Sequence, residues 1–179
     1  MHFKHLKTAV LTFLASSLLW CCNPDKPVQS QKPEIDKEKL KQQFIQANKQ
    51  IIQKESDEMD YYAKSHQMKF VSTPSGIRFY VYEASVKGDS IKEGMEISMD
   101  FKVSLLNGTE VYNSNESGKK TFIVGQENIE SGIHKGVQYL KKGDKAILLI
   151  PSHLAHGLLG DFKKIPPQMP IVYDVKIDG

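Results

Sequence analysis

Cysteine and tryptophan are scarce in this chain of 179 residues, which has two cysteines and one tryptophan. The cysteines, Cys21 and Cys22, are adjacent, so they do not form an ordinary disulfide, and the rest of the chain is not a disulfide scaffold. No concentrated basic segment accompanies the net charge of +3, and we therefore expect no nucleic-acid partner. An apolar segment at residues 8–20 is shorter than the ~20 residues that a membrane-spanning helix needs.

Motifs of metal and nucleophilic catalysis are also missing. His153 and His156 are three positions apart, but no further cluster of Cys, His or carboxylates completes a four-ligand shell. Ser152 lacks the G-x-S-x-G context of a hydrolase nucleophile. We therefore expect no metal and no cofactor.

The N-terminus has the pattern of an export signal. Two lysines precede the apolar segment, which ends at the two cysteines. A cysteine in this position is similar to a bacterial lipobox, in which that cysteine is lipidated and becomes the mature N-terminus. The sequence predicts a signal peptide at residues 1–21 and lipidation of Cys22, with Cys21 as the alternative. The protein would then be exported and anchored by lipid to a bacterial membrane, with its domain in the periplasm or at the cell surface.

A tether and a long helix are predicted next. Residues 22–35 contain three prolines and polar residues, which favours an extended spacer. Residues 36–66 predict a helical spacer with Asp36 as its N-cap. Its apolar residues recur at spacings of four, three and four: Leu40, Phe44, Ala47 and Ile51. Polar residues then interrupt this stripe, so we expect it either to dock on the folded domain or to pair two chains as a homodimer, without a sustained coiled coil.

Residues 73–179 predict one domain of the α+β class, because several short strands surround a single short helix. The clearest strand lies at residues 97–105, where apolar and polar residues alternate. Asn107-Gly108 then favours a two-residue hairpin turn. The amphipathic helix is expected at residues 131–142.

The connection between the last two strands is unusually long and apolar. It joins the predicted strands at 146–150 and 171–177, whereas hairpin loops have ~2–5 residues. Its apolar side chains are Leu154, Ala155, Leu158, Leu159, Phe162 and Ile165. Such a loop predicts either one wall of a ligand pocket or a segment that packs on itself.

Seven short motifs follow one another across residues 73–178. They are the Gly94 strand start, Asn107-Gly108-Thr109, Phe122-x-Val124-Gly125, Ile129-x-x-Gly132-x-x-x-Gly136, Lys142-Gly143-Asp144, Ile150-Pro151-x-x-Leu154-Ala155-His156-Gly157 and Ile165-Pro166-Pro167. In order and spacing they resemble the FK506-binding-protein (FKBP) type of peptidyl-prolyl cis-trans isomerase. The resemblance implies a curved antiparallel sheet wrapped around one short helix, with a pocket between sheet, helix and the long loop. With its anchor and helical spacer, the chain is similar to the gliding-motility-associated isomerase lipoproteins of gliding bacteria.

The resemblance also implies a substrate pocket for proline-containing polypeptides. Its ten positions are Phe101, Val111, Tyr112, Phe122, Ile129, Ile133, Ala155, His156, Ile165 and Tyr173. Five of them depart from the family. Phe101 and His156 each stand where the family usually has Tyr, and Val111 stands where it has Phe. Tyr112 stands where the family has Asp, and Ile133 where it often has Trp. The family's Tyr and Asp interact, and their joint loss leaves no buried polar group unpaired. His156 can still donate a hydrogen bond.

An apolar pocket of this kind acts without covalent chemistry. Rotation about a peptide bond costs ~18–20 kcal/mol because it breaks amide resonance. The twisted amide is less polar than the planar one, so a dry pocket favours it relative to water. We therefore predict a membrane-anchored prolyl isomerase that assists the folding of exported proteins, including gliding-motility components. The alternative is a non-catalytic peptide-binding or assembly module, chaperone-like, with a degenerate pocket.

Overall fold

The computed structural model describes residues 36–126 and 128–179. The predicted signal peptide, the lipidation site and the tether therefore lie outside the described residues. Residues 41–179 form one compact unit, which begins within the long helix α1 (Lys37–Ser65). Within the described residues, no helix is both long and apolar enough to cross a membrane.

Helix α1 begins where the capping residue predicts. The Asp36 carboxylate accepts hydrogen bonds from the backbone N–H groups of Glu38 at 3.0 Å and Lys39 at 3.1 Å. These bonds satisfy two of the N–H groups that have no partner inside the helix. The helix ends at Ser65, and Gln67 follows in a left-handed conformation with φ of 56°.

Seven antiparallel strands form the sheet among the described residues. They are β1 (Val71–Ser72), β2 (Arg78–Glu83), β3 (Glu96–Leu105), β4 (Glu110–Asn113), β5 (Lys120–Ile123), β6 (Lys145–Ile150) and β7 (Ile171–Ile177). Neighbours run in the order β1-β2-β6-β7-β3-β4, and β5 also pairs with β3. Strand β3 is central because it pairs with β7 along one edge and with β5 and then β4 along the other.

The hairpin between β3 and β4 differs from the predicted two-residue turn. The Gly108 N–H donates to the Leu105 carbonyl at 2.9 Å, so Leu106 and Asn107 occupy the central turn positions. Gly108 follows with φ of 87°. The Asn107 side chain accepts from the Thr109 N–H at 3.0 Å, which favours this wider turn over the two-residue type.

Three short helical segments complete the fold: α2 (Ser114–Ser117), α3 (Ser131–Val137) and a single 3₁₀ turn (Ser152–Leu154). Helix α3 lies directly against β6. A Cβ atom added at Gly132 would lie 2.3 Å from Ile150 Cγ2, and one added at Gly136 would lie 2.9 Å from Leu148 Cδ1. The two glycines therefore permit this close approach.

Helix α3 is shorter than the predicted 131–142. Beyond Val137 the chain continues in turns toward β6. The buried Asp144 carboxylate accepts from the N–H of Lys141 at 2.8 Å and of Ser85 at 2.7 Å. These bonds hold the segment in a turn, which propensity alone did not indicate.

The sheet buries both faces of β6. Ala146, Leu148 and Ile150 belong to the main apolar cluster, which includes α3. Ile147 and Leu149 belong to a second cluster with Met59 of α1. Because successive side chains of a strand point to opposite faces, the second half of α1 covers the face opposite the main core. The predicted α+β class, an antiparallel sheet with a short helix and a preceding long helix, is confirmed.

The part of α1 that packs on the sheet lies nearer the C-terminus of the helix than the predicted apolar stripe does. Met59 is 2% exposed, whereas Phe44 is 62% exposed and Ile52 is 54% exposed. Ile45 is also exposed. Between residues 41 and 52, therefore, apolar side chains remain on the surface of the chain.

Candidate functional site

A cavity of about 460 Å³ lies between the start of β5, the N-terminus of α3 and the long loop after β6. Its lining combines apolar walls with hydrogen-bonding groups. The lining residues are Lys120, Asn128, Ile129, Glu130, Ser131, Ala155 and His156. Three of the ten predicted pocket residues therefore face this space.

The structure brings the predicted pocket residues together. All of them except His156 belong to the main apolar cluster or pack against it. The buried members are Val111, Phe122, Ile133, Ile165 and Tyr173. The partly buried members are Phe101, Tyr112, Ile129 and Ala155. Phe122 makes an edge contact with the His134 ring at 5.4 Å between centroids.

A charged cluster that the sequence did not predict adjoins this apolar set. Glu130 lies at its centre, and its Oε1 accepts a hydrogen bond from the Tyr173 hydroxyl at 3.0 Å. The Lys120 ammonium lies 3.3 Å from Glu130 Oε2 and 3.3 Å from the Tyr173 hydroxyl. His156 Nε2 lies 3.4 Å from Glu130 Oε1. We call these four residues the cavity cluster.

Lys120 also contacts aromatic rings. Its Nζ lies 5.3 Å from the centroid of Phe101 and 5.6 Å from that of Tyr173. These distances fall within the ~6 Å range of cation–π attraction. An ammonium group therefore lies against the two aromatic side chains that the resemblance assigned to substrate.

Electrostatics within the cavity cluster keep Glu130 ionised. Desolvation by burial acts to raise the pKa of Glu130, but the charge of Lys120 and the hydrogen bond from Tyr173 leave that pKa below its usual value. Burial first, and the neighbouring Glu130 second, raise the pKa of the Tyr173 hydroxyl well above its usual value. At neutral pH the cluster therefore contains a lysine cation, a glutamate anion and a neutral phenol.

The far end of the long loop is fastened to β4. The Tyr112 hydroxyl donates to Asp161 Oδ2, and Lys164 Nζ donates to the Val111 carbonyl at 2.9 Å. Asp161 Oδ1 also accepts from the Ile165 N–H at 2.8 Å. Tyr112, which stands where the family has Asp, thus has a new acidic partner within the loop.

These contacts shift the ionisation of both partners. Desolvation acts to raise the pKa of Asp161, but hydrogen bonds from Tyr112 and from the N–H groups of Ile165 and Lys163 lower that pKa to about 2. The hydrogen bond to Asp161 is the main cause that raises the pKa of Tyr112. The loop is therefore fixed by an ionised carboxylate at neutral pH.

The near end of the loop is fastened to α1. Glu55 is 3% exposed, and its carboxylate accepts from the Ser152 N–H at 2.9 Å and from the Ser152 hydroxyl at 2.5 Å. Arg78, on the neighbouring β2, donates to Ser56 Oγ at 2.9 Å and forms an ion pair with Asp60 at 2.8 Å. Both contacts join the second half of α1 to the domain.

The loop's apolar side chains divide between the two predicted arrangements. Leu154 and Ile165 are buried and Ala155 is half-buried against the main core. Leu158 and Phe162, by contrast, are 62% and 82% exposed. The loop therefore packs against the core near its two ends and lines the cavity through Ala155 and His156, while its tip faces solvent.

Potential metal ligands do not converge in the described part of the chain, where no group of three or more His, Cys, Asp and Glu side chains could hold an ion. The cavity offers the apolar side chains of Ile129 and Ala155 together with hydrogen-bonding groups instead. Such a site can bind a polypeptide segment and change its conformation without covalent chemistry.

An antiparallel sheet packed on a short helix, with a cavity between that helix and a long loop, defines a domain of the α+β class. The family model described as FKBP-type peptidyl-prolyl cis-trans isomerase matches residues 87–178, just over half of the chain. The chain therefore belongs to the FKBP-type peptidyl-prolyl cis-trans isomerase family.

Curated relatives agree with this assignment. The chain is 33% identical over 118 residues to the FKBP-type peptidyl-prolyl cis-trans isomerase FkpA of Buchnera aphidicola subsp. Schizaphis graminum, covering 65% of this chain and 46% of that protein. It is 32% identical over 130 residues to FkpA of Escherichia coli strain K12, covering 72% and 47%. The chain thus spans about half the length of the curated relatives it matches.

A solved structure shows the same fold. The crystal structure of FkpA from Escherichia coli matches with a TM-score of 0.60 and 24% identity, covering 97% of this chain and 79% of that one. The match extends over the long helix as well as the sheet, because the coverage is nearly the whole chain.

The sequence did not predict three side chains at or beside the cavity: Lys120, Glu130 and Asp161. For Lys120 a signal existed. It precedes Phe122 by two residues on one strand, so the two side chains share the buried face. For Glu130 and Asp161 the position in a connection gave no such indication.

Proposed function

We propose that this protein catalyses cis-trans isomerisation of X–Pro peptide bonds at the cavity beside α3. The observation that carries this function is the convergence of apolar and aromatic side chains under a loop fastened at both ends. Apolar side chains at the rotating bond favour the twisted amide over the planar one, because the twisted amide is less polar. No nucleophile is needed for this reaction.

The residues at the cavity would have different roles in the isomerisation. Ile129 and Ala155 line the cavity and would contact the proline ring. His156 lies at the cavity and can donate a hydrogen bond to a substrate carbonyl, which would position the chain on either side of the rotating bond. Ile165 belongs to the same loop, is 3% exposed, and would hold the loop against the main core.

A peptide assay tests this proposal. Residues 23–179 should accelerate cis-to-trans conversion of short X–Pro peptides, and Ile165→Asp should abolish the acceleration because it places a charge in the buried wall. Leu159→Asp, a change in the exposed part of the same loop, is the matched control and should retain activity. Circular dichroism must show that every variant is folded. A folded wild-type protein without any acceleration would refute catalysis of simple peptides.

A second candidate function is peptide binding without turnover, as in an assembly or chaperone-like module. The Lys120 ammonium against the rings of Phe101 and Tyr173 favours it, because a polar group there makes the cavity less dry. Replacing His156 by Tyr, as in the family, discriminates the two. A large gain in rate would mark the wild-type pocket as degenerate, and an unchanged rate would favour the enzyme.

The proposed setting is an exported protein held at a bacterial membrane by a lipid on Cys22. The N-terminal sequence pattern supports it, since a cysteine directly follows a short apolar segment. Labelling cells with a radioactive fatty acid should mark the protein, and Cys22→Ser should remove the label while Cys21→Ser should not. Loss of label only in Cys21→Ser would assign the other cysteine.

The proposed clients are exported proteins that fold slowly at proline, including components of gliding motility. The family membership supports a folding role, since uncatalysed X–Pro isomerisation takes tens to hundreds of seconds. Deleting the gene should slow maturation of such proteins and impair gliding. Normal gliding and normal maturation in the deletion strain would reject these clients.

A homodimer through residues 36–66 is also proposed. Phe44 and Ile51, and likewise Ile45 and Ile52, are seven residues apart, which is the repeat by which two helices pair. Three of the four are exposed. Sedimentation should show a dimer that Phe44→Glu converts to monomer, whereas Gln46→Glu, on the opposite face of the helix, should not. A wild-type monomer at high concentration would reject this pairing.

A further inference from the structure

The positively and negatively charged side chains of the cavity cluster differ in exposure. The Lys120 and His156 side chains are 24% and 23% exposed, whereas Glu130 is 15% exposed. Both Glu130 oxygens are engaged, Oε1 by Tyr173 and His156 and Oε2 by Lys120. The lysine therefore presents its charge to the cavity more openly than the glutamate does.

Lys120 also has more N–H donors than its contacts with Glu130 and Tyr173 use. An ammonium group carries three N–H donors. One is directed at Glu130 and one at the Tyr173 hydroxyl, each at 3.3 Å. Since Lys120 lines the cavity, the third can reach a ligand placed against the apolar walls.

We propose that Lys120 makes this site selective for prolines flanked directly by an acidic residue, whose carboxylate binds the Lys120 ammonium while the proline ring contacts Ile129 and Ala155. The inference rests on the proposed function and names its substrate class. A charge-assisted hydrogen bond to a carboxylate is about twice as strong as one to a neutral amide. Replacing Glu by Gln in the substrate removes the charge and preserves the shape, so this pair isolates the contribution of Lys120.

The surroundings favour a substrate carboxylate over a substrate cation. Glu130 is the acidic side chain that lines the cavity, and its oxygens are already covered by three partners. Asp161 is engaged by Tyr112 and by the loop backbone. A substrate lysine would meet the exposed ammonium of Lys120 and be repelled.

The experiment measures kcat/KM for peptides with Glu, Gln, Leu or Lys immediately before proline, and for a second set with the same residues immediately after it. In the wild-type protein, Glu should exceed Gln by about fivefold or more on at least one side of proline. Lys120→Met should reduce that ratio below about twofold, because Met keeps the length and loses the charge. Lys119→Met, at the neighbouring lysine that pairs with Asp100 and Asp178, is the matched control and should preserve the ratio.

The ratio of kcat/KM between the Glu and Gln peptides distinguishes a failure of this inference from a failure of the proposed isomerase function. Turnover of all peptides with equal rates for Glu and Gln on both sides, or a ratio unchanged by Lys120→Met, would overturn the inference and leave the proposed function intact. If no peptide is turned over, the proposed function fails. The same peptides are then compared by Kd, where Glu must still bind about fivefold more tightly than Gln for the selectivity to stand.

Discussion

Glu55→Ala is expected to destabilise the whole domain, although residue 55 lies on the helix that precedes it. The Glu55 carboxylate and Ser152 are both buried, at 3% and 4% exposure. Two hydrogen bonds join them, at 2.9 and 2.5 Å. Alanine would remove both bonds and leave the Ser152 N–H buried without its acceptor.

The expected magnitude follows from this geometry. Hydrogen bonds to charged groups contribute about 1.5–3 kcal/mol each, and part of that is offset because alanine has no carboxylate to desolvate. The free energy of unfolding should therefore fall by about 2–4 kcal/mol. Glu55→Gln should cost less, because its amide oxygen still accepts one bond and the Ser152 hydroxyl can turn to accept from the amide nitrogen.

Urea unfolding followed by circular dichroism measures these changes. Glu58→Ala is the matched control, since Glu58 is on the same helix with its side chain 41% exposed and paired with Lys54 at 3.7 Å. That change should alter the free energy of unfolding by less than about 0.5 kcal/mol. If Glu55→Ala is as mild as Glu58→Ala, the buried link between helix and loop does not stabilise the protein and the reasoning fails.

Two further predictions concern the loop and α3. Tyr112→Phe should raise the pKa of Asp161 from about 2 toward its usual value, as measured by NMR titration. Because the folded pKa lies below the unfolded one, Asp161 stabilises the fold above about pH 4 and loses this contribution as the pH falls toward 2. The stability gap between wild type and Asp161→Asn, about 1 kcal/mol at neutral pH, should therefore close in acid; a constant gap would contradict this. Gly132→Ala should cost more than Gly136→Ala in thermal unfolding, because its Cβ would lie 2.8 Å from a backbone oxygen as well as against Ile150; equal costs would count against it.

Much of the fold could be predicted from the sequence because each strand carries its own pattern. In β3, alternate residues such as Ile97, Met99 and Val103 are buried, as the period of two requires. The capping carboxylate of Asp36 likewise marked the start of α1 correctly. Local patterns of this kind depend on neighbours in sequence, so they are readable without tertiary contacts.

Structural features that depend on residues far apart in the sequence were not predicted correctly. Glu55 is one of the polar residues that follow the apolar stripe, but it lies one turn before Met59 on the docked face of α1. Only Ser152, far away in the sequence, makes a buried carboxylate acceptable there. The end of α3 was placed too late for the same reason, since Asp144 fixes the turn after it through Lys141 and Ser85.

The candidate site was predicted in part. The resemblance predicted ten positions, of which the structure places nine in or against the main apolar cluster and three, Ile129, Ala155 and His156, at the cavity. The ionic side chains were missed because Lys120 in a strand and Glu130 before a helix usually face solvent. Their mutual distance of 3.3 Å, with Tyr173 beside both, is a tertiary property.

The contacts at the two ends of the long loop connect α1 and β4 to the residues that line the cavity. One end depends on Glu55, and the other depends on Tyr112 of β4. Between these ends lie Ala155 and His156, which line the cavity. Because the position of the loop is set by its fixed ends, a shift of residues 55–62 along the sheet would displace Ser152 and, with it, the residues that line the cavity. The second half of α1 is therefore better regarded as part of the isomerase domain than as a spacer in front of it.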